Sequence, residues 1–202
     1  RLMPASLNSP ADILNVALAQ IGYKDRIASL FEGSKAAKNA LDLYAQTRDE
    51  LLRLGEWPFA QRDVAGTLIK SAPVGGYLPT TPWDSTYPPL PWLFEYGYGS
   101  DFIKVRAVKP APILIPNFSP QPHLFAIAND GNQRVILSNV ANAVITYVGQ
   151  VTNPTDMPPD FLEAFIASLA RRLAPVLTTM DEAKMAAQVE QVETAIAERQ
   201  QG

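Results

Sequence analysis

Cysteine is absent from the 202 residues of this sequence. Disulfide bonds, thiolate nucleophiles and zinc–sulfur sites are therefore excluded together, and the fold has to be stabilised by packing. Histidine is nearly absent, since His123 is the only one. Any Ser-His-Asp arrangement would have to use this residue, which stands at a proline-flanked strand start. We interpret it as part of a strand rather than as a catalytic base.

Long apolar runs and an excess of positive charge are also missing. No stretch of about 18 consecutive apolar residues occurs, so we expect no membrane-spanning helix. The formal net charge of −3 argues against a protein that reads nucleic-acid grooves, because such proteins need clustered lysine and arginine to displace counterions. The acidic residues lack metal-binding spacing, and the glycine pairs lack the following helix of a phosphate loop. We therefore predict no enzyme activity, catalytic residue, cofactor or metal.

Two helices are predicted near the start of the chain. Ser9, Pro10 and Asp12 are typical of a helix start, with an N-cap, a proline at the first position and an acid in the first turn. Gly22 marks the end of this helix. A longer amphipathic helix begins after Ser34. Its apolar residues recur at steps of three, four and seven, which places them on one stripe: Ala37, Leu41, Tyr44, Leu51 and Leu52.

Glycine and aromatic residues mark the end of the long helix. We expect Gly55 to adopt the left-handed conformation that closes a last helical turn. Pro58 then forces the chain out of the helix between the rings of Trp57 and Phe59. Together with Tyr44, these two rings are predicted to be structural anchors.

Helical patterns return in the last third of the chain. Residues 156–160 carry a start signal, and a wide apolar face follows. Pro175 is expected to kink this helix or nearly end it, because it removes one helical hydrogen bond. Thr179 followed by Glu182 fits a capping box that opens a last helix. Because the apolar faces of all four helices need partners, we predict a four-helix bundle built from both termini.

The middle of the chain predicts strands. Residues 73–122 hold 11 of the 18 prolines, which excludes helix there and restricts strands to edges and starts. The sequence at 129–132 is a hairpin signal. The β-rich runs are 92–96, 102–108, 123–128, 134–137 and 143–148. The predicted fold class is therefore α+β, with a discontinuous helical bundle (1–60 and 155–202) and an inserted antiparallel β-sandwich or barrel-like module (61–154).

The proline-rich segment 72–91, called the arm below, is too long for an ordinary connection and predicts an interface loop. Its aromatic rings could stack on bases, but only Lys70 at its edge supplies positive charge. Packing or a protein interface is therefore favoured. We expect the arm to be extended, with Trp83 and Tyr87 as anchors on a neighbouring molecule and Trp92 as a further candidate.

Two other segments supply candidate interface residues. Arg171 and Arg172 could pair with carboxylates of a partner, and a solvated helix face is the alternative interpretation. Residues 190–202 are polar and helical in tendency, which suits a segment that orders only on a partner. The candidate contact residues in that segment are Glu190, Glu193 and Arg199.

A family resemblance lies in the first third of the chain. It is carried by Ile21-Gly22, Ile27, Ser29-Leu30, Glu32, Ser34, Ala36-Ala37, Tyr44, Arg48-Asp49, Leu51-Leu52 and Trp57-Pro58-Phe59-Ala60. This string resembles the N-terminal signature of the head-to-tail adaptor proteins of tailed bacteriophages, also called portal-adaptor proteins or tail tubular protein A. The likeness is dense over residues 13–62 and is one of layout beyond them.

The resemblance implies a structural virion protein of the neck, assembled in the host cytoplasm and without enzymatic activity. In that family a helical bundle carries a β-sandwich, and twelve copies form a ring below the portal protein. The C-terminal segment would dock into the portal, and the opposite face would receive the tail nozzle or the next neck protein. Genomic DNA would pass through the lumen during ejection without specific binding.

The charge distribution agrees with such a ring, and two other functions stay open. Residues 61–150 hold six Lys/Arg and five Asp/Glu, whereas the other segments hold 11 and 15. Few strong positive charges suit a channel in which DNA moves, and we expect an acidic side to face the lumen. The alternatives are a virion module that binds carbohydrate or a receptor through its aromatic residues, and a small hydrolase whose acids the fold brings together.

Overall fold

The computed structural model describes residues 7–111 and 121–177. The chain forms two compact units. The helical unit combines Arg1–Phe59 with Val151–Gly202, and the β unit is Ala60–Gln150. Within the described residues, no helix is both long enough and apolar enough to cross a bilayer.

The first helix, α1, is Pro10–Gln20 and confirms the predicted start and end. Ser9 accepts a hydrogen bond from the Asp12 amide, and the Asp12 carboxylate accepts one from the Ser9 amide at 3.0 Å, which completes a capping box. At the other end Gly22 has a φ of +75°. The amides of Gly22 and Tyr23 donate to carbonyl groups of the last turn, in the pattern of a Schellman motif.

The long helix, α2, is Lys35–Leu54, and the side chain of Ser34 caps it as predicted. The expectation of a left-handed Gly55 is wrong, because its φ and ψ are −86° and 165°, which is extended backbone. The indole of Trp57 replaces the left-handed turn: its Nε1 donates to the carbonyl of Leu51 at 2.8 Å. A Cβ at Gly55 would lie 2.2 Å from that nitrogen. Glycine is therefore required here by the close approach of a ring.

The third helix, α3, is Pro159–Leu177. Pro175 lies inside it, and the helix continues for two residues past the proline. This helix packs against both α1 and α2. Phe161 and Phe165, both with no exposed surface, supply its largest apolar side chains to the core.

The predicted four-helix bundle is wrong, because the described residues contain three α-helices and two antiparallel sheets. The prediction required four mutually dependent apolar stripes. Instead, α3 contacts α1 and α2 at once, so three helices already enclose the fully buried Ile13, Leu14 and Leu52. The fourth helix, predicted from Thr179, lies outside the described residues.

The β unit contains two antiparallel sheets. One has the strand order β1-β7-β4 and the other β2-β3-β6-β5. The strands are β1 (Gln61–Ala65), β2 (Leu68–Ser71), β3 (Phe94–Gly97), β4 (Phe102–Pro110), β5 (Phe125–Asn129), β6 (Arg134–Ser138) and β7 (Ala143–Gly149). The five predicted β-rich runs correspond to β3–β7, and the hairpin at 129–132 is confirmed by the pairing of β5 with β6.

Strands β1 and β2 were not predicted from the sequence. All five residues of β1 are exposed, as are three of the four in β2. A strand with no buried face leaves no apolar alternation to read. Both strands are held by backbone pairing, β1 to β7 and β2 to β3.

Both sheets contribute to one apolar core in the β unit. It contains Tyr96 and Ile136 from one sheet and Val105 and Ile145 from the other. The hydroxyl of Tyr96 donates to the carbonyl of Val140 at 2.6 Å and accepts from the amide of Ala143 at 3.3 Å. A buried phenol therefore ties β3 to the turn that precedes β7.

Candidate interface on the proline-rich arm

The arm is the loop of a long hairpin, because the strands on either side of it, β2 and β3, pair with each other. At its root the amide of Ala72 donates to the carbonyl of Leu93 at 2.7 Å. The amide of Leu93 donates to the side-chain oxygen of Asn139 at 2.8 Å. The arm thus leaves the sheet between two strands and is fixed at both ends.

The arm is folded on itself, so the expectation of an extended segment is wrong. Leu78 and Thr81 exchange two backbone hydrogen bonds, at 2.9 and 3.1 Å. The indole nitrogen of Trp83 donates to the carbonyl of Pro88 at 2.8 Å, which closes a second turn. The prolines limit the backbone, and these local hydrogen bonds then select a compact conformation.

Aromatic and carboxylate groups stabilise the compact conformation. The rings of Tyr77 and Tyr87 meet edge to face, with centroids 5.6 Å apart. Asp84 accepts hydrogen bonds from the amide and the hydroxyl of Thr86, at 2.7 and 2.5 Å. Both hydrogen bonds lower the pKa of Asp84, and the one from the hydroxyl has the larger effect. The aspartate therefore stays ionised and acts as a local turn cap.

The surface of the arm carries several exposed apolar side chains. Trp83 is 46% exposed, although its ring nitrogen is already bonded within the arm. Tyr87 and Trp92 are partly buried. The other exposed apolar side chains at this surface are Val74, Leu78 and Leu90, with Leu93 at the root. Exposed apolar groups on a constrained loop suit a protein contact, because little conformational entropy is lost when they dock.

The arginine pair predicted on α3 divides in the structure. Arg171 is exposed, whereas Arg172 forms an ion pair with Glu50 of α2. Arg172 therefore contributes to packing between two helices of its own unit. Glu190, Glu193 and Arg199 lie outside the described residues.

The three predicted anchors lie within the helical unit. Tyr44 is 4% exposed and meets Phe165 edge to face at 4.9 Å. Desolvation raises the pKa of Tyr44 to about 12, against a smaller opposing effect of Arg48. Trp57 and Phe59 both contact the ring of Phe161, with centroid distances of 5.0 and 5.2 Å.

A buried acid in the β unit was not found from the sequence. Glu95 on β3 is 1% exposed, and no described residue donates a hydrogen bond to either of its oxygens within ordinary geometry. Its counter-ion is Lys70 on β2, whose Nζ lies 3.5 Å from Oε1. Burial raises the pKa of Glu95, Lys70 opposes this shift, and Asp130 adds to it. A charged residue inside the otherwise apolar strand 94–97 was the available signal.

A row of aromatic and charged groups at the side of the β unit was also missed. The rings of Phe102 and Tyr147 are stacked with their centroids 3.8 Å apart, and the ring centroids of Tyr98 and Phe102 are 5.3 Å apart. The Arg134 guanidinium stands 4.4 Å above Tyr98. Asp101 accepts from the Tyr147 hydroxyl at 3.1 Å and pairs with Arg62 at 3.4 Å. The charged and hydroxyl groups of this set have their partners within it, which is typical of structural packing.

The described residues bring no reactive constellation together. No group of three metal-ligating side chains occurs among residues 7–111 and 121–177. His123 is exposed, and its amide donates to the carbonyl of Val108 at 2.8 Å, which extends the strand pairing. Glu95 has a shifted pKa, as catalytic acids often do, but at 1% exposure it offers a substrate no approach in this conformation.

Comparison with known proteins finds no family model that matches the chain and no curated protein with significant sequence similarity. The resemblance of residues 13–62 to phage adaptors therefore stays a prediction. The arm, with its exposed apolar groups on a fixed root, is the candidate functional surface.

Proposed function

We propose that this chain is a structural subunit of a phage head-to-tail adaptor, a ring that joins the portal protein to the tail or the next neck protein. The proposal starts from the resemblance carried by residues 13–62. The observation that carries it further is the arm: a compact, proline-rich hairpin loop that presents Trp83 at 46% exposure. A ring subunit needs such a contact surface, because each copy must bind identical neighbours without a large rearrangement.

The connection between α1 and α2, within the segment that carries the resemblance, has a structural role that suits a rigid subunit. Asn15 on α1 exchanges two hydrogen bonds with the backbone of Ile27, both at 2.8 Å. Glu32 accepts from the amide of Ala28 at 2.8 Å and from the hydroxyl of Ser34 at 2.7 Å. The connection between α1 and α2 is therefore fixed at both ends. Several residues that carry the resemblance are thus explained by the geometry of this loop.

Charge supports a channel through which DNA passes without being held. The segments outside residues 61–150 carry a net charge of −4, and residues 61–150 are nearly neutral. Tight binding to phosphates requires several lysine or arginine contacts, each of which would slow moving DNA. Strong, sequence-independent DNA binding by the assembled protein at near-physiological salt would contradict this part of the proposal.

The test combines assembly with a matched control. Replacing Trp83 and Tyr87 together by alanine should leave the monomer folded and impair ring formation or binding to the portal protein. The control is Phe31→Ala, which removes an even more exposed ring (84%) from the helical unit. Electron microscopy and sedimentation velocity, with and without the portal protein, give the readout. Unchanged assembly of the double variant would remove the arm from the proposal, and the absence of any ring with the portal present would contradict the adaptor function.

Carbohydrate or receptor binding is the second candidate, and the half-exposed indole of Trp83 is the observation that favours it. Exposed indoles present a flat apolar surface with one polar edge. That edge is already bonded to Pro88, so only the ring face would be offered to a sugar. Binding of the isolated protein to a glycan array, lost in Trp83→Ala, would favour this function over the adaptor.

A further inference from the structure

The root of the arm contains the one strongly buried acid of the described β unit, and its surroundings are incomplete. Glu95 is 1% exposed, and neither of its oxygens forms a hydrogen bond of ordinary geometry with a described residue. An ionised carboxylate in such a place is costly unless a counter-charge lies close. Among the described residues, this carboxylate forms one ion pair, with Nζ of Lys70 at 3.5 Å. Lys70 is therefore the group that permits Glu95 to be charged.

The neighbours of Glu95 on the other elements are apolar or negative. Leu137 of β6 stands directly opposite Glu95, and Ala126 of β5 stands opposite Leu137. Asp130, in the turn between β5 and β6, is the second charged group that acts on Glu95. Hydrogen bonds from the amides of Gln133 and Asn132 lower the pKa of Asp130, so it remains ionised and opposes the charge of Glu95. Among the charged groups of the described residues that act on Glu95, Lys70 is thus the one that favours its ionised form.

Lys70 lies on β2, a strand that has few other stabilising contacts. β2 is an edge strand with four residues, of which Lys70 is the only one that is not exposed. Leu68 is 53% exposed and Ile69 is 36% exposed, so burial of apolar surface contributes little. The pairing with β3 is also irregular between Leu68 and Lys70. The attachment of β2 therefore depends on a few backbone hydrogen bonds and on the ion pair.

The ion pair lies at the root of the arm. Lys70 pairs in register with Glu95 and Ser71 pairs with Phe94, and the arm begins at the next residue. The other end of the arm has the additional hydrogen bond from Leu93 to Asn139. The β2 side is consequently the less firmly held of the two ends.

We propose that the Lys70–Glu95 pair fastens the β2 side of the arm to the sheet, and that the charge on Glu95 sets how firmly this side is held. While the pair is ionised, β2 stays docked because Lys70 compensates the buried carboxylate. When Glu95 takes up a proton, the cost of burying its charge disappears together with the attraction to Lys70. Because burial has the larger effect on this carboxyl group, docking becomes firmer. The part that the arm plays in assembly rests on the function proposed above, whereas the fastening itself does not.

The direction of the pH dependence follows from linkage. The pKa of Glu95 is raised in the docked state relative to a hydrated carboxyl group. Docking is therefore favoured most strongly below the ordinary carboxyl pKa, and this contribution is lost as the pH rises through the raised value. Acidification from neutral pH should tighten the root of the arm.

Hydrogen exchange in the intact protein tests the fastening. The reporter is the amide of Ala72, which is bonded to the carbonyl of Leu93, with exchange corrected for the intrinsic effect of pH. At pH 7, Lys70→Met should lower the protection of this amide about tenfold or more, because it leaves a buried charge without a partner. In the Glu95→Gln background the same substitution should change protection less than about twofold, since no charge remains to be compensated. Lys104→Met, which removes an exposed lysine of β4, is the control and should have no effect.

The pH profile supplies the second readout. In the unchanged protein the protection of Ala72 should rise as the pH falls from 7, and in Glu95→Gln it should be flat. An equal loss of protection from Lys70→Met in both backgrounds, or a flat profile in the unchanged protein, would overturn the proposal. Should Glu95→Gln fail to fold, Asp130→Asn replaces it: removing this negative charge should move the midpoint of the profile to lower pH, and an unmoved midpoint would overturn the proposal. A normal profile combined with an arm that is dispensable for assembly would contradict the proposed function alone.

Discussion

The helical unit and the β unit differ in the polar contacts that define their elements, which are short-range at the helix ends and long-range between the strands. The caps of α1 and α2 join residues three positions apart, Ser9 with Asp12 and Ser34 with Ala37. In the β unit the side-chain contacts span 39 residues from Arg62 to Asp101 and 83 from Asp63 to Thr146. Local contacts stabilise the ends of helices, whereas distant ones determine which strands come together. The two units should therefore respond differently to the loss of a single side chain.

The largest expected effect is in the helical core. Phe161 has no exposed surface and contacts Trp57, Phe59 and Phe165. Phe161→Ala should lower the free energy of unfolding by about 3–5 kcal/mol, because it removes buried apolar surface and leaves a cavity. Chemical denaturation gives the magnitude, and hydrogen exchange shows which amides lose protection. The control is Leu41→Ala on α2, where the side chain is 43% exposed.

We expect the loss of protection in Phe161→Ala to be concentrated in α1, α2 and α3. If the amides of β3, β6 and β7 lose protection to the same extent, the two units unfold as one cooperative body. The distinction between them would then describe structure but not stability.

The second prediction concerns the β core. The Tyr96 hydroxyl joins the carbonyl of Val140 and the amide of Ala143, which lie 44 and 47 residues away. Tyr96→Phe keeps the ring but leaves both backbone groups unsatisfied, and should cost about 1–3 kcal/mol. Tyr87→Phe in the arm is the matched control and should have little effect on unfolding. If Tyr96→Phe leaves the free energy of unfolding unchanged, water replaces the hydroxyl. The long-range contact would then not stabilise the β unit.

The sequence separation of the contacting residues also explains which features of the fold could be predicted from the sequence. The N-cap of α1, the cap of α2 and the hairpin between β5 and β6 depend on neighbouring residues, and all were predicted correctly. The extended conformation of Gly55 depends on where the Trp57 indole lies, six residues from the carbonyl that it satisfies. A C-terminal glycine alone favours the left-handed cap, so the prediction went wrong there.

The candidate site divides in a similar way. Proline content marked residues 72–91 as an unusual loop, but the hydrogen bond from Trp83 to Pro88 that makes it compact is not encoded in composition. Lys70 and Glu95 become partners only because β2 and β3 pair in one particular register. The register of two strands separated by a long loop is a property of the whole sheet. The buried acid could therefore be recognised as unusual from the sequence, but its partner could not.

The smallest expected effect comes from the exception to this comparison, the ion pair between Glu50 and Arg172. It joins α2 to α3 across 122 residues, yet Glu50 is 46% exposed and Arg172 is 24% exposed. Solvent screens such a pair, so its coupling energy should be only about 0.2–1 kcal/mol. A double-mutant cycle with Glu50→Gln and Arg172→Gln measures this coupling, which should fall further in 1 M salt.

The Lys70–Glu95 pair, with an acid that is 1% exposed, provides the contrast: its coupling should be larger and nearly independent of salt. Equal coupling and equal salt dependence in the two cycles would show that burial of Glu95 does not strengthen its ion pair, and the electrostatic difference between the two units would then disappear.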